Sequence, residues 1–469
     1  MVLWLEWTRC VRRLAGACQR RRTGLWMMLV LVAWAARPDL LGVTSFVRAS
    51  FLDAAAYHPL LAFFHSGALP LPALLRAWVQ LAMTLFHPVT EGGYVVFVAD
   101  GLKVGKEGRK MPAVKCLHQE SENNSKAEYI MGHSFQVLAL LAEAANGQVV
   151  AVPLLARICE GLVWRRSAAR KSQLTKLADM FLEVTGLATV RAVLVADAYY
   201  ASRTVIGPLL ARGHHLLSRA RKNTVAYELA ATPTIRRRGR PKKYGQKVRL
   251  RDLFKAWQSF TKAPSPVYGE KDIMLQYRSV DLLWRPVGRL VRFVLVKHPT
   301  RGSLILLSSA LDMDPLAVIK LYGLRFKIEL SFKQALNTVG GYAYHFWMMA
   351  MTPIRWGSGN QHVDRRTTRY QNAVARKLDA YHRYVQLACI VQGLLQHLAV
   401  NLRQSVWAAF GSWLRTMDKN LVPSEMVVAH ALRAHLPEFL LDTSGDLELK
   451  KFILNRADSD RIPGFQMAA

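Results

Sequence analysis

Apolar and polar positions follow two different rhythms along this chain. From 38 to 90, apolar helical stretches alternate with turn signals such as Ala68–Leu69–Pro70, which predicts a small all-helical region. At Glu91–Gly92–Gly93 the rhythm changes. Tyr94 to Ala99 (YVVFVA) is a continuous apolar run of strand length, and it delivers Asp100 at its C-terminal end. Strand-like runs follow at about 129–142 and 148–158, then an amphipathic helix from Lys171 to Thr185. Arg191 to Ala196 (RAVLVA) reads as another buried strand, ending at Asp197; Tyr200 to Arg212 reads as a helix and His215 to Ala220 as a strand.

The order strand, strand, strand, helix, strand, helix, strand is that of RNase H-like domains. Residues 222–300 interrupt it with a basic, Gly/Pro-containing stretch (RRRGRPKKYGQKVRLR) and alternating strand-like segments at 275–281 and 288–297, a mostly β insertion. Leu304 to Ser308 resembles one more strand, and Pro315 to about Asn337 a single strong helix. A loop rich in Gly, Asn and Arg (355–370) precedes helices from about 371 to 415; beyond Pro423 the pattern is uninformative. The expected fold is α/β: an RNase H-like catalytic domain (91–221 and 301–345) with a β-rich basic insertion (222–300). An N-terminal helical region (1–90) and a mostly helical C-terminal region (346–469) flank it.

Composition adds a partner. The 469 residues suffice for two or three domains, and 51% hydrophobic with 20% charged residues suits a folded chain. Lys and Arg number 64 against 32 Asp and Glu, a net charge of +32. A compact protein with that excess repels itself unless a polyanion shields it, and nucleic acid gains affinity from each counterion released. A basic protein from an Arg-favouring genome is the plainer reading. The five cysteines (Cys10, Cys18, Cys116, Cys159, Cys389) are scattered without CxxC spacing, arguing against a zinc site or a disulfide framework and for a reducing cytoplasm. Leu25 to Ala36 (LWMMLVLVAWAA) follows basic residues as in a signal peptide, but it falls short of the ~20 residues that span a bilayer. A buried core helix is expected there, and no membrane association.

Candidate chemistry lies in three acids. FVAD at 97–100 and LVAD at 194–197 each end an apolar strand at an aspartate followed by a small residue. Functional groups of open sheets gather at the carboxyl ends of strands, so adjacent parallel strands would bring Asp100 and Asp197 within reach of one metal ion. Taken singly, each is equally an ordinary turn-capping aspartate. In YGLRFKIELSFK, residues Tyr322, Arg325, Glu329 and Lys333 are spaced to project from one face of a continuous helix, with Leu324, Ile328 and Phe332 opposite. The bland alternative is a solvated stripe joined by weak ion pairs.

The Y-x2-R-x3-E pattern, after two strand-borne aspartates and a β insertion, resembles the signature of DDE-class insertion-sequence transposases of the cut-and-paste type. The resemblance runs from about residue 90 to 345. It implies that Asp100, Asp197 and Glu329 are the catalytic, metal-holding acids, with two Mg²⁺ ions, replaceable by Mn²⁺. It also implies double-stranded DNA (terminal inverted repeats and target) as substrate and at least a dimer on DNA, in a bacterial, nucleoid-associated setting. Tyr322 and Arg325 match the accompanying pair, Tyr322 as a candidate phosphate contact and Arg325 as either a phosphate contact or the residue that orients Glu329. The family pattern places a lysine at position 336, which here is Leu336; Lys333, one helical turn after Glu329, is the candidate for that role.

Further DNA contacts are expected in Arg236 to Lys243 (RRRGRPKK), which contains the Gly239–Arg240–Pro241 core of an AT-hook; Arg238, Arg240, Lys242 and Lys243 would enter or graze an A·T-rich minor groove. Trp284 could stack on an unpaired base, although core packing is the commoner fate of a tryptophan. His118, His133 and His345 lack zinc-ligand spacing and read as structural or phosphate-proximal. Two competing functions share these features: an RNase H-like nuclease that cuts without joining, and a DNA-binding protein that has lost catalysis.

Overall fold

The computed structural model describes residues 1–40, 42–119, 127–164, 172–231, 242–267, 269–413 and 417–463. The protein is mixed α/β, with a large mixed sheet and helices toward both ends of the chain. Its helices are α1 (Val2–Ala15), α2 (Arg21–Ala36), α3 (Thr44–Ala49), α4 (Tyr57–His65), α5 (Leu71–Leu85), α6 (Gln173–Ala188), α7 (Arg203–Leu210), α8 (Pro315–Leu324), α9 (Lys327–Gln334) and α10 (Thr368–Asn401). Four shorter helices, α11 (Arg403–Phe410), α12 (Glu425–Ala434), α13 (Leu436–Leu441) and α14 (Leu447–Leu454), complete the C-terminal region, where the sequence pattern was uninformative beyond Pro423. The strands that carry the sheet are β1 (Tyr94–Gly105), β2 (Tyr129–Glu143), β3 (Val149–Ile158), β4 (Ala192–Val195), β5 (His215–Ala220), β6 (Val225–Leu229), β7 (Tyr244–Arg249), β8 (Met274–Trp284), β9 (Arg289–His298) and β10 (Gly302–Ser308). The expected strand–strand–strand–helix–strand–helix–strand order is present as β1, β2, β3, α6, β4, α7 and β5.

The chain divides into two compact units. The first comprises Met1–His87, Gly101–Arg170 and Glu329–Ala469. Its centre is α10, which packs on α4, α5, α12 and β3. β3 pairs antiparallel with β2. Polar side chains on this buried helix are tolerated because they find partners: the Gln386 and Gln396 amides donate to the Leu154 and Ala151 carbonyls at 2.9 and 3.2 Å. The Trp78 indole N–H donates to the Pro153 carbonyl at 3.0 Å, and Gly393 leaves room for its ring.

The apolar run at 25–36 lies in α2, where Trp26 to Ala36 are all buried: it packs as a core helix. Among the described residues no single helix is long and apolar enough to cross a membrane. Glu6, Cys10 and His397 cluster between α1 and α10 as a closed polar staple. The carboxylate accepts from Arg9 at 2.7 Å and lies 2.7 Å from His397 Nε2, whose other ring nitrogen meets Asn401 at 2.8 Å. All five cysteines are free.

The second unit comprises Pro88–Asp100 and Lys171–Ile328. Its strands run in the order β1, β4, β5, β10, β9, β8, β6, β7. The first three are parallel and the rest antiparallel, so the strands of 225–298 continue the sheet that carries the two aspartates. Val95 to Ala99 and Ala192 to Ala196 are all buried, which explains why both strands read as unbroken apolar runs. Phe181 of α6 meets Phe97 of β1 edge-on at 5.8 Å, fixing the helix to that face.

Three local expectations need correction. β1 does not stop at Asp100 but runs on to Gly105; what ends near Asp100 is its parallel pairing, because β4 stops at Val195. The helix expected over 200–212 is a 3₁₀ turn (Ala198–Tyr200) followed by α7, since the Asp197 carboxylate accepts the Tyr199 N–H and starts a separate turn. The single helix expected over 315–337 is α8 and α9 with a break at Arg325–Phe326.

Candidate active site

Register builds the site. Val98 of β1 stands opposite Val195 of β4, and Val195 opposite Leu217 of β5. Two positions further along the chain stand Asp100, still in β1, Asp197, which follows the end of β4 and starts the 3₁₀ turn, and Arg219 of β5. Val98, Val195 and Leu217 are fully buried and form an apolar floor beneath residues that are half-buried (the acids) or exposed (the arginine). β1 and β4 are adjacent and parallel, and Asp197 follows two residues after the end of β4.

Each acid is held from one side. Arg325 Nη1 donates to Asp100 Oδ2 at 2.7 Å, with the two side chains 20% and 22% exposed. Asp197 Oδ1 accepts the Tyr199 N–H at 3.0 Å, and the Asp197 carbonyl accepts from the Ser218 hydroxyl at 2.6 Å. Tyr322 completes the group. Burial raises the pKa of its phenol above the usual value and the Asp197 charge acts in the same direction, while Arg325 and Arg219 oppose them, Arg325 also through a hydrogen bond. The hydroxyl therefore stays protonated at neutral pH and is available as a donor. A cavity of about 360 Å³ opens beside Tyr322 and Arg325, walled mainly by apolar side chains such as Leu275, Val296 and Phe326.

The break between α8 and α9 changes the row expected on one helical face. The Arg325 N–H bonds the Tyr322 carbonyl at 3.2 Å and the Ile328 N–H bonds the Arg325 carbonyl at 3.1 Å, both three-residue links that tighten the backbone. Tyr322 therefore lies on α8 and Glu329 and Lys333 on α9, with Arg325 in the turn between them. The even four-residue spacing of a continuous helix does not relate the two pairs. Glu329 and Lys333 are exposed and one turn apart. Leu336, at the family's lysine position, is half-buried in a π-turn over Ala335–Val339.

The other candidates separate. Arg238 and Arg240 lie outside the described residues; Lys242 and Lys243 are exposed just before β7. Trp284 is only 8% exposed at the end of β8, opposite Arg289, so its ring is core packing and is not offered to a base; the stacking role is withdrawn. His133 is fully buried, 2.9 Å from the Pro112 carbonyl through Nε2, and burial pushes its pKa down to about 3, which makes it structural. His118 is a surface partner of Glu128 at 3.6 Å, and His345 is exposed. Arg219 was missed: in LLSRA it is one of 64 cations, and only the fold brings its charge, like that of Asp197, near enough to act on the Tyr322 phenol.

Two carboxylates at neighbouring strand ends, with cations around them, offer the hard oxygen donors that suit a divalent ion such as Mg²⁺. The Arg325 guanidinium on Asp100 also supplies the positive charge that juxtaposed carboxylates need when no ion is bound. Among the described residues the one group of three ligand-type side chains close enough to share an ion is Glu6, Cys10 and His397; Asp100 and Asp197 offer the donor chemistry, with Asp100 held by Arg325.

Fold and site thus define a mixed α/β protein with paired strand-end acids and a strongly basic surface. Residues 164–342 match the family model of the transposase DDE domain, a span containing Asp197, Tyr322, Arg325, Glu329 and Lys333 but not Asp100. That match supports a DDE-class insertion-sequence transposase. That family acts on DNA and generally depends on divalent metal. No curated protein matches the chain.

Proposed function

We propose that this transposase cleaves DNA at the ends of an insertion sequence and joins the resulting 3′-hydroxyl ends to target DNA, with Asp100, Asp197 and Glu329 as its catalytic acids. The observation that carries the proposal is the parallel pairing of β1 with β4 just before Asp100 and Asp197, with Arg325, four residues before Glu329, bonded to Asp100. Asp100, Asp197 and Glu329 would hold the divalent metal, Mg²⁺ by the chemistry of their oxygen donors. Bound ions would supply an activated water and neutralise charge on the entering and leaving oxygens.

The chain's own residues do the positioning. Asp197 is oriented by the Tyr199 N–H, and Asp100 by Arg325. Tyr322, kept protonated by burial, donates a hydrogen bond to a phosphate oxygen, and Arg219 and Arg325 draw the DNA backbone toward the acids. Lys333 contacts DNA from α9. The N-terminal helices, residues 1–90, recognise the inverted repeats, and two copies act together on paired ends.

A nuclease that cuts without joining uses the same acids. Incubating the protein with pre-cut end DNA, a target plasmid and Mg²⁺ separates the two. Insertion of the 3′-hydroxyl end into the plasmid supports the transposase; no insertion product here, with nicking of intact end DNA in a parallel reaction, supports the nuclease.

A further inference from the structure

The loop after α9 carries a surface that the cutting and joining chemistry does not use. Residues 344–349 alternate strictly: Tyr344, Phe346 and Met348 are buried, while His345, Trp347 and Met349 face outward. The buried set is firmly anchored. Phe346 packs on Tyr381 of α10 with ring centroids 4.3 Å apart, and Met348 joins a small core with Met351, Val363 and Val374. The outward set is left with large apolar side chains in water, Trp347 at 56% and Met349 at 89% exposure, and Trp356 nearby at 73%.

The two tryptophans flank one short basic segment. The Met348 N–H donates to the Lys110 carbonyl at 3.0 Å and the Ile354 N–H to the Arg109 carbonyl at 2.8 Å. Arg109 Nε returns a bond to the Ile354 carbonyl at 3.3 Å. These bonds make the platform a built structure, and they place Arg109 and Lys110 between the exposed rings. Arg109 and Arg355 are themselves exposed. Across 342–377 six Lys/Arg residues face a single acid, Asp364.

We propose that Trp347, Met349 and Trp356, set among Arg109, Lys110 and Arg355, form a binding surface for unpaired DNA, the bases stacking on the indoles while the cations hold the phosphates. Exposed aromatic faces interleaved with cations are what a single strand needs, since every base has a stacking face and every nucleotide a charge. A duplex hides its bases and would use only the cations. A second copy of this chain is disfavoured as occupant, because it brings the same excess of positive charge, +32, to the contact. The surface goes beyond the proposed chemistry and lies on residues outside the three acids.

The test uses the full-length protein in EDTA, so that cutting plays no part. Fluorescence anisotropy compares an oligothymidylate of about 20 nucleotides, the same length with abasic sugars, and a blunt duplex. The W347A/W356A protein should bind the oligothymidylate at least about 10-fold more weakly, with duplex affinity changed less than about 2-fold. The wild type should lose a similar factor on the abasic strand, and W347F/W356F should recover most of the affinity. Unchanged melting temperature checks folding, which both exposed positions should leave intact. Equal binding of oligothymidylate by W347A/W356A and wild type overturns the proposal. So does a variant that loses self-association on sizing while keeping its single-strand affinity, which would make the surface a contact between copies. Because the divalent ion is absent throughout, failure here leaves the catalytic acids untested in either direction, and failure of the strand-transfer assay leaves this surface standing.

Discussion

Arg325 and Asp100, separated by 225 positions in the chain, meet in a charge-assisted hydrogen bond of 2.7 Å. The bond ties the turn between α8 and α9 to the strand that carries the first acid. It also gives that acid a cation before any metal arrives.

Replacing this arginine therefore has two opposed effects. R325A should cost about 1.5–3 kcal/mol of stability in EDTA, the usual worth of a hydrogen bond to a charged group. It should also remove a cation that competes for the acid, so Mg²⁺ should raise the melting temperature of R325A more than that of the wild type. Scanning fluorimetry with and without Mg²⁺ reads both effects. An equal Mg²⁺ response in the two proteins would remove Asp100 from the metal site.

Asp197 allows charge to be separated from fold. Its carboxylate accepts the Tyr199 N–H, a bond that asparagine can also make. D197N should keep the wild-type melting temperature and DNA affinity yet cut end DNA roughly 10³-fold more slowly, as expected when several kcal/mol of transition-state charge stabilisation is lost. A gel assay of end cleavage measures it, and cutting at near wild-type rate by D197N would remove this residue from the chemistry.

Lys106 predicts a pH dependence. It is 5% exposed, donates to the Tyr342 and Tyr344 carbonyls, and burial pushes its pKa down from 10.5 to about 8. Between those values the unfolded chain holds a proton that the folded chain has released, so stability rises as the pH climbs through this window. From pH 7.5 to 9.5 the group should add about 2 kcal/mol, measured by urea unfolding. K106M should flatten that rise.

Gly393 tests packing against helix propensity. Alanine there should favour α10 by about 1 kcal/mol on propensity alone. Its Cβ, however, would stand 2.3 Å from the Trp78 ring, whose indole is fixed by the Pro153 carbonyl. Overpacking of this kind costs about 1–3 kcal/mol, so G393A should unfold at lower urea concentration than the wild type despite the better helix former.

Periodicity and residue type were enough to read the elements carrying the acids. YVVFVA and RAVLVA are apolar without interruption because both faces of β1 and β4 are covered, and a run of that kind is visible without a structure. The core character of Leu25–Ala36 followed from its length in the same way. Local hydrogen bonding was not visible. The stop in the helix at Arg325, the separate turn begun by Asp197, and the continuation of β1 past Asp100 each depend on where a neighbouring strand or side chain lies. Trp284 shows the same limit, since nothing in its sequence neighbours says whether its ring faces the core or a base.

The amino-acid sequence determined, by itself, which segments are buried, which acids end apolar runs, and that the surface is cationic, because these depend on residue chemistry and on periods of two and 3.6. Tertiary structure alone decided which strands are neighbours. The pairing of Val98 with Val195 and of Val195 with Leu217 makes neighbours of the segments that lead to Asp100, Asp197 and Arg219, and contacts between strands far apart in the chain leave no periodic trace in any one of them.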